Sequence, residues 1–369
     1  MKFLNKSLAQ EIVDRTMQII KRNINVMNDK GVIIGSGDAS RIDSIHEGAL
    51  RVIETQKEFE IEEQEAKGLH GVKAGINLPI NFNGTVVGVI GITGYPNEIR
   101  SYGELVKMAA EMILQQAVLL DQMQWDERLK EELISQLLHS PENLNSLYFE
   151  RVRRLGIDLE IPRIAIILAA KDRAKAFKAL RDRLDRDDLL AMHPNYLILL
   201  KKVTNLDVAR NRKELKKWAE SVTKHLGLDT KLNIGNYHPS LTGIAESYRE
   251  AVLTSFVGER MNPEKFIHFY DEYKIPVLLV KAKQLGIGAD FENYYQLLKE
   301  NDKKGELVET LLAYIEENGD GHAVTEKLFI HRNTLRYRMD KITEITGKDP
   351  RKIKELLELY LSVIQEIIN

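Results

Sequence analysis

From His331 to Lys341 the chain gathers His331, Arg332, Asn333, Thr334, Arg336, Tyr337, Arg338 and Lys341. Arginine offers a fork to guanine, asparagine can bond an adenine edge through two atoms, and threonine and tyrosine donate to bases or phosphate. That chemistry is major-groove recognition of DNA. Leu335, Met339 and Ile342 recur at spacings of four and three, one face of an α-helix. At about 100° per residue, Asn333 and Tyr337 point away from that stripe, with Thr334, Arg336 and Lys341 beside them and Arg332 and Arg338 on its margins. A second short helical pattern begins at His322 and ends at a tight junction, Ile330-His331, so the pair reads as a helix-turn-helix. Eight Lys/Arg against four Asp/Glu lie between Gly321 and Lys352, whereas the whole chain carries −2, so positive charge is concentrated on this segment.

A second polar constellation lies in the first quarter: Gly35-Ser36-Gly37-Asp38, Arg41, His46-Glu47-Gly48, His70-Gly71, Gly75-Ile76-Asn77, then Gly88, Gly91 and Gly94. Glycines let backbone amides approach an anion, and Arg41 and His46 can donate to carboxylate oxygens. Asn77 alternates with Ile76 and Leu78, so it faces opposite to them and can donate to a hydroxyl or carboxylate. A small polyhydroxy acid matches this set. Each part alone also admits a structural role: glycines as turns, Arg41 in a surface ion pair, His46 or His70 as a hydrogen-bonded structural histidine.

The elements that must hold these groups can be read from periodicity. A helix is predicted over Leu4–Ile20, then strand, turn and strand through Asn23–Asn28 and Val32–Gly35, a helix near Ser44–Ile53, and two strands, Ala74–Phe82 and Val86–Thr93, turning at Asn83-Gly84. This suggests an α+β sensor sheet of the PAS kind, by architectural analogy alone. From Glu98 to about Leu138 one long helix is expected. Leu105, Ala109, Met112, Gln116, Leu119 and Met123 form a coiled-coil seam along it, interrupted at Asp126 and Lys130 before Leu133 and Leu137 resume. The first half could instead cover the domain's own sheet. A small α/β sandwich is predicted from strands Arg163–Ala169, Tyr196–Leu200 and Lys231–Gly235 and helices Arg173–Leu184, Arg212–Leu226 and Gly243–Val257. Beyond Asp271 the pattern is helical throughout, and the last helix puts Ile353, Leu356, Leu357, Tyr360, Leu361 and Ile364 on one face, with Pro350 suited to its first turn.

Composition excludes several classes of function. With 369 residues the chain exceeds one ordinary core. The absence of cysteine rules out disulfides, thiolate catalysis and cysteine-based zinc fingers. The opening residues lack a signal-peptide core and the apolar runs are far shorter than the ~20 residues of a membrane span, so a cytoplasmic protein without membrane contact is expected. Gly35-Ser36-Gly37 lacks the third glycine of a dinucleotide fingerprint, no Walker A sequence occurs, and His46-Glu47 lacks the second histidine of a zincin. The expectation is no catalysis, no metal and no cofactor.

The stretches NINVMNDKGVIIGSGDASRIDSIHEGAL, GVKAGINLPI and GVIGITGYPNEIRSYGELVKMAAEM resemble the diacid-recognition domain of the sugar diacid (carbohydrate diacid) regulators, a family of bacterial transcription activators. TLLAYIEENGD with LFIHRNTLRYRMDKI is similar to the helix-turn-helix of the wider purine-catabolism regulator group. The resemblance spans nearly the whole chain. It implies a multidomain α+β protein: a PAS-like sensor with its long signalling helix over 1–140, a degenerate GGDEF-like α/β domain over 147–270, and an all-α helix-turn-helix domain over 288–369. It also implies an inducer such as glucarate, galactarate or glycerate, with Ser36, Arg41, His46, His70, Gly75, Asn77 and Thr93 as its contacts, and a homodimer or higher homo-oligomer acting on DNA. Where a cyclase hairpin would fall the chain reads Met192-His193-Pro194-Asn195-Tyr196, without the glycines and acidic pair that would hold nucleotide and magnesium. The rivals are a cyclic-dinucleotide signalling enzyme and the same regulator architecture sensing a purine or another metabolite.

Overall fold

A computed structural model of the protein describes residues 4–66, 68, 72–205, 207–227, 230–285 and 293–368. They fall into two units, 1–128 and 129–369. In the first, α1 (Lys6–Ile20) is capped by Asn5, whose side chain accepts from the Leu8 amide, and it buries Leu8, Ala9, Ile12 and Val13 at helical spacing. The strands β1 (Ile24–Asn28) and β2 (Ile33–Ser36) form a hairpin, followed by α2 (Glu47–Thr55), β3 (Phe59–Ile61) and the short α3 (Glu63–Ala66). A second hairpin joins β4 (Gly75–Phe82) to β5 (Thr85–Thr93). Its turn residues Asn83 and Gly84 have φ of 50° and 80°, the left-handed pair that a tight hairpin demands and that asparagine and glycine adopt most readily.

These five strands are antiparallel in the order β2-β1-β5-β4-β3. Alternation sorts their side chains between two layers. Ile24, Val26, Ile76, Leu78, Ile90 and Ile92 pack with α1 and with the first part of α4 (Pro96–His139), whereas Met27, Ile33 and Val89 pack with α2. The sequence reading missed β3, a three-residue edge strand too short to display a period.

The 44-residue α4 carries two apolar faces. Ile99, Val106, Ala110 and Leu114 are buried against the sheet, while Leu105, Met112, Leu119 and Met123, the predicted seam, are 58–61% exposed. The first half of the helix therefore covers its own domain's sheet, as one of the two sequence alternatives has it, and the seam residues lie on its exposed face. Leu133 and Leu137 do not continue the seam, because they are buried in the core of the second unit.

The second unit comprises that end of α4, α5 (Ser146–Arg154), β6 (Arg163–Ala169), α6 (Arg173–Arg181), β7 (Leu189–Met192), β8 (Leu197–Lys202), α7 (Val208–Leu226), β9 (Lys231–Ile234), α8 (Leu241–Met261) and β10 (Ile267–Phe269), and then a helical part. Its sheet runs β10-β9-β6-β8-β7, antiparallel except for β10 beside β9. Helices cover both faces: Ala165, Ile167, Ile198 and Leu200 pack with α5 and α8, and Ile164, Ile166, Leu168, Leu197 and Leu199 pack with α6 and α7. Strands buried on both faces lose the polar half of their alternation, and β7 and β10 went unread for that reason and for their length. His193–Tyr196 forms the tip of the β7-β8 hairpin, closed by the His193 amide donating to the Tyr196 carbonyl at 3.0 Å.

Beyond Glu272 the described residues form α9 (Lys274–Gln284), α10 (Tyr294–Asn301), α11 (Glu306–Glu316), α12 (Gly321–Leu328), α13 (Arg332–Thr346) and α14 (Ile353–Ile368). The single apolar face read for α14 is corrected. Ile353 and Leu357 are exposed, at 83% and 49%, and Pro350 precedes the helix rather than entering its first turn. Leu359 and Val363 pack with α11 to α13, while Ile364 and Ile368 pack with Val257 of α8 and with Tyr273, Val277 and Val280 at α9. A helix wedged between two partners buries more than one stripe. Among the described residues no helix is long and apolar enough to cross a membrane.

Candidate ligand site and DNA interface

Strand register aligns a row of residues across the first sheet: Ser36 opposite Asn25, Asn25 opposite Gly91, Gly91 opposite Asn77, and Asn77 opposite Phe59. At Asn77 the row meets Gly48, in the first turn of α2. The Ser36 hydroxyl donates to Asn25 Oδ1 at 2.6 Å and accepts from the Asp38 amide at 3.0 Å. Asn77 Nδ2 reaches only a long 3.4 Å contact with the Phe59 carbonyl. A Cβ on Gly91 would lie 2.9 Å from Asn77 Oδ1, and one on Gly48 would lie 3.0 Å from Asn77 Nδ2 and 3.1 Å from His46 Cε1. Two glycines thus leave room for the Asn77 amide and bring it beside the His46 ring.

His46 caps α2, its Nδ1 accepting from the Ala49 amide at 3.3 Å. Burial, reinforced by the charge of Arg41, pushes the imidazole down to about pKa 4, so it stays neutral at physiological pH. Arg41 closes a short 3-10 turn, Ala39–Arg41, capped by Asp38. Hydrogen bonds from Ser40, with the charges of Lys73 and Arg41, hold the Asp38 carboxyl below its ordinary value. Ser36, His46 and Asn77 are buried, and Arg41 sits half-buried at their margin.

Thr93 stands apart from this row. It lines an open cavity of about 460 Å³ together with Arg22, Glu63, Ala66, Val72, Lys73, Ala74, Gly94 and Tyr95. Gly75 is where it is for packing: a Cβ there would lie 2.2 Å from the Ile92 carbonyl oxygen across the hairpin, so its glycine is required without any ligand. His70 lies outside the described residues. Two groups escaped the sequence reading. Asn25 alternates with Ile24 and Val26 and could have been found as Asn77 was; Lys73 and its cavity have no local signal.

In the helical part, α12 and α13 meet at Phe329-Ile330-His331, and His331 caps α13 by accepting from the Asn333 amide. Leu335, Met339 and Ile342 are buried as the periodicity requires. Arg332, Asn333, Arg336 and Tyr337 are exposed, and Thr334 is half-buried. Lys341 pairs with Glu344 at 2.6 Å on the same helix. Arg338 departs from the outward set: its side chain is 11% exposed and bonds α11 through Thr310 and Glu306. A helical face reading places a residue on a margin but cannot say which neighbour claims it.

A short helix, a tight turn and a second helix presenting arginine, asparagine and tyrosine make the protein a DNA-binding regulator of the helix-turn-helix class. Three family models match: "Putative sugar diacid recognition" over residues 4–137, a GGDEF-like domain over 143–255, and the PucR C-terminal helix-turn-helix domain over 307–364. The chain is 39% identical to the carbohydrate diacid regulator of Escherichia coli, over 98% of this chain and 97% of that one. It is 34% identical to an uncharacterized protein of Haemophilus influenzae, over 98% and 99%. Identity to the proline-responsive transcriptional activator PutR of Bacillus subtilis is 33%, over 36% and 33%. The chain belongs to the carbohydrate diacid regulator family, a family of transcription regulators and not of enzymes.

Proposed function

We propose that this regulator senses a sugar diacid or the related glycerate through its first domain and activates genes for uptake and use of that acid. The observation that carries the ligand reading is the buried polar row Ser36, Asn25 and Asn77, which meets α2 and neutral His46 at its Asn77 end, with Arg41 close enough to act on His46. An arginine can take one carboxylate through two parallel bonds, and the amides and imidazole suit hydroxyls. Ser36, Arg41, His46, His70, Asn77 and Thr93 remain the proposed contacts, with Gly75 shaping the hairpin under them. The antiparallel order of the five strands supports the PAS-like reading of this domain.

The exposed stripe Leu105, Met112, Leu119 and Met123, with Gln116 in the same register, supports pairing of two copies along α4. The proposed boundaries are 1–140 for the sensor with its helix, 147–270 for the GGDEF-like domain and 288–369 for the output. Inducer acts by binding the DNA-competent arrangement more tightly, and ~1–3 kcal/mol of coupling is ordinary for such a switch. Calorimetry with glucarate, galactarate and glycerate, run against purines, tests the reading. Heat of binding with a purine and none with the acids would overturn it.

A further inference from the structure

Phe329 is the C-cap of α12 and the first residue of the turn into the recognition helix. Its backbone is left-handed, φ 52° and ψ 43°, with its amide donating back to Glu326 and the next amide, Ile330, donating to the Thr325 carbonyl at 3.1 Å. Helices that end this way normally place glycine or asparagine at this position, because a Cβ is strained there. A bulky aromatic residue with positive φ is an outlier. The ring gains nothing in return from the fold, being 95% exposed, while its neighbour Ile330 is packed against the helical core. An isolated exposed apolar side chain is ordinary on a protein surface. One that is both strained and solvent-facing, two residues before the His331 cap of α13, points to something the ring meets outside the chain.

The surroundings say what. The N-terminal residues of a recognition helix enter the major groove, and Arg332, Asn333, Arg336 and Tyr337 are exposed along α13. An apolar ring at that edge suits the one apolar group displayed in the groove, the thymine C5-methyl. We propose that Phe329 contacts DNA directly, its ring packing on a thymine methyl, and so contributes base preference from the turn rather than from the helix. This rests on the DNA-binding reading of α13.

The test uses the full-length protein, the best-binding duplex recovered from a random-sequence pool, and copies of that duplex with single thymines replaced by deoxyuridine. Phe329→Gly relieves the backbone, so its melting temperature should equal or exceed that of the parent, while its affinity for the duplex should fall about tenfold. One deoxyuridine replacement should weaken the parent by a similar factor and leave Phe329→Gly indifferent. A role confined to folding would move stability and binding together. Parent-like affinity in Phe329→Gly, or equal sensitivity of both proteins to every deoxyuridine, overturns the proposal. So does loss of affinity accompanied by dissociation of the protein in sedimentation, which would assign the ring to a contact between copies. If no duplex is enriched for the parent, the DNA reading of α13 fails and takes this proposal with it.

Discussion

Arg338 Nη1 donates to Thr310 Oγ1 at 3.1 Å and Nη2 pairs with Glu306 at 3.2 Å, so one arginine of the basic helix ties α13 to α11. Arg338→Ala is expected to destabilise the helical part by about 1–2 kcal/mol, through a lost charge-assisted bond. The salt slope of DNA binding should not change. Denaturant unfolding beside binding over a salt series checks both; a reduced slope would move Arg338 to the phosphate-contacting set.

Arg336 and Arg332 are the complementary case, both exposed on α13. If Arg336 reads guanine, Arg336→Ala should cost about 1–3 kcal/mol and relax base preference. Arg332→Ala should weaken all sequences alike and lower the salt slope by about one if it holds phosphate. Paired half-sites should be spaced by about 10–10.5 base pairs or a multiple. Footprinting on selected duplexes decides the spacing, and sequence-blind binding that survives both substitutions would remove α13 from the interface.

At the first domain, Arg41→Ala should weaken binding of the diacid by about 1.5–3 kcal/mol, the worth of a hydrogen bond to a charged group. Unchanged affinity in calorimetry, in a variant with parent-like circular dichroism, would exclude Arg41 from the site.

His46 makes stability depend on pH. Its folded value of about 4 lies below the 6.5 of a free imidazole, so between those values the unfolded chain takes up a proton that the folded chain refuses. The stabilisation is complete above pH 6.5 and is lost as pH falls toward 4, amounting to about 3 kcal/mol at most. Asparagine can supply the same cap acceptor without titrating. The urea midpoint of His46→Asn should therefore fall less than the parent's between pH 7 and pH 4.5, and parallel curves would contradict the assignment.

The outer stripe of α4 makes the last prediction. Leu119 is 60% exposed, so Leu119→Glu removes nothing from the fold of the single chain. It should shift sedimentation toward monomer and weaken binding to paired half-sites without changing thermal stability of the dilute protein. Persistence of the dimer would place the contact elsewhere.

How much of this was legible depended on whether the signal was local. The α13 stripe Leu335, Met339 and Ile342, the Asn83-Gly84 turn and the inward Asn77 follow from one helix, one hairpin and one strand, whose periods the chain itself sets. Tertiary structure decided the rest. Register across three strands, not any motif, aligned Asn25, Gly91 and Asn77; a carbonyl on the neighbouring strand explained Gly75; and a second packing partner buried Ile364 and Ile368 while leaving Ile353 in solvent. Periodicity reports which face of an element is apolar. It carries no information on which neighbour arrives at that face, because that depends on residues distant in the chain.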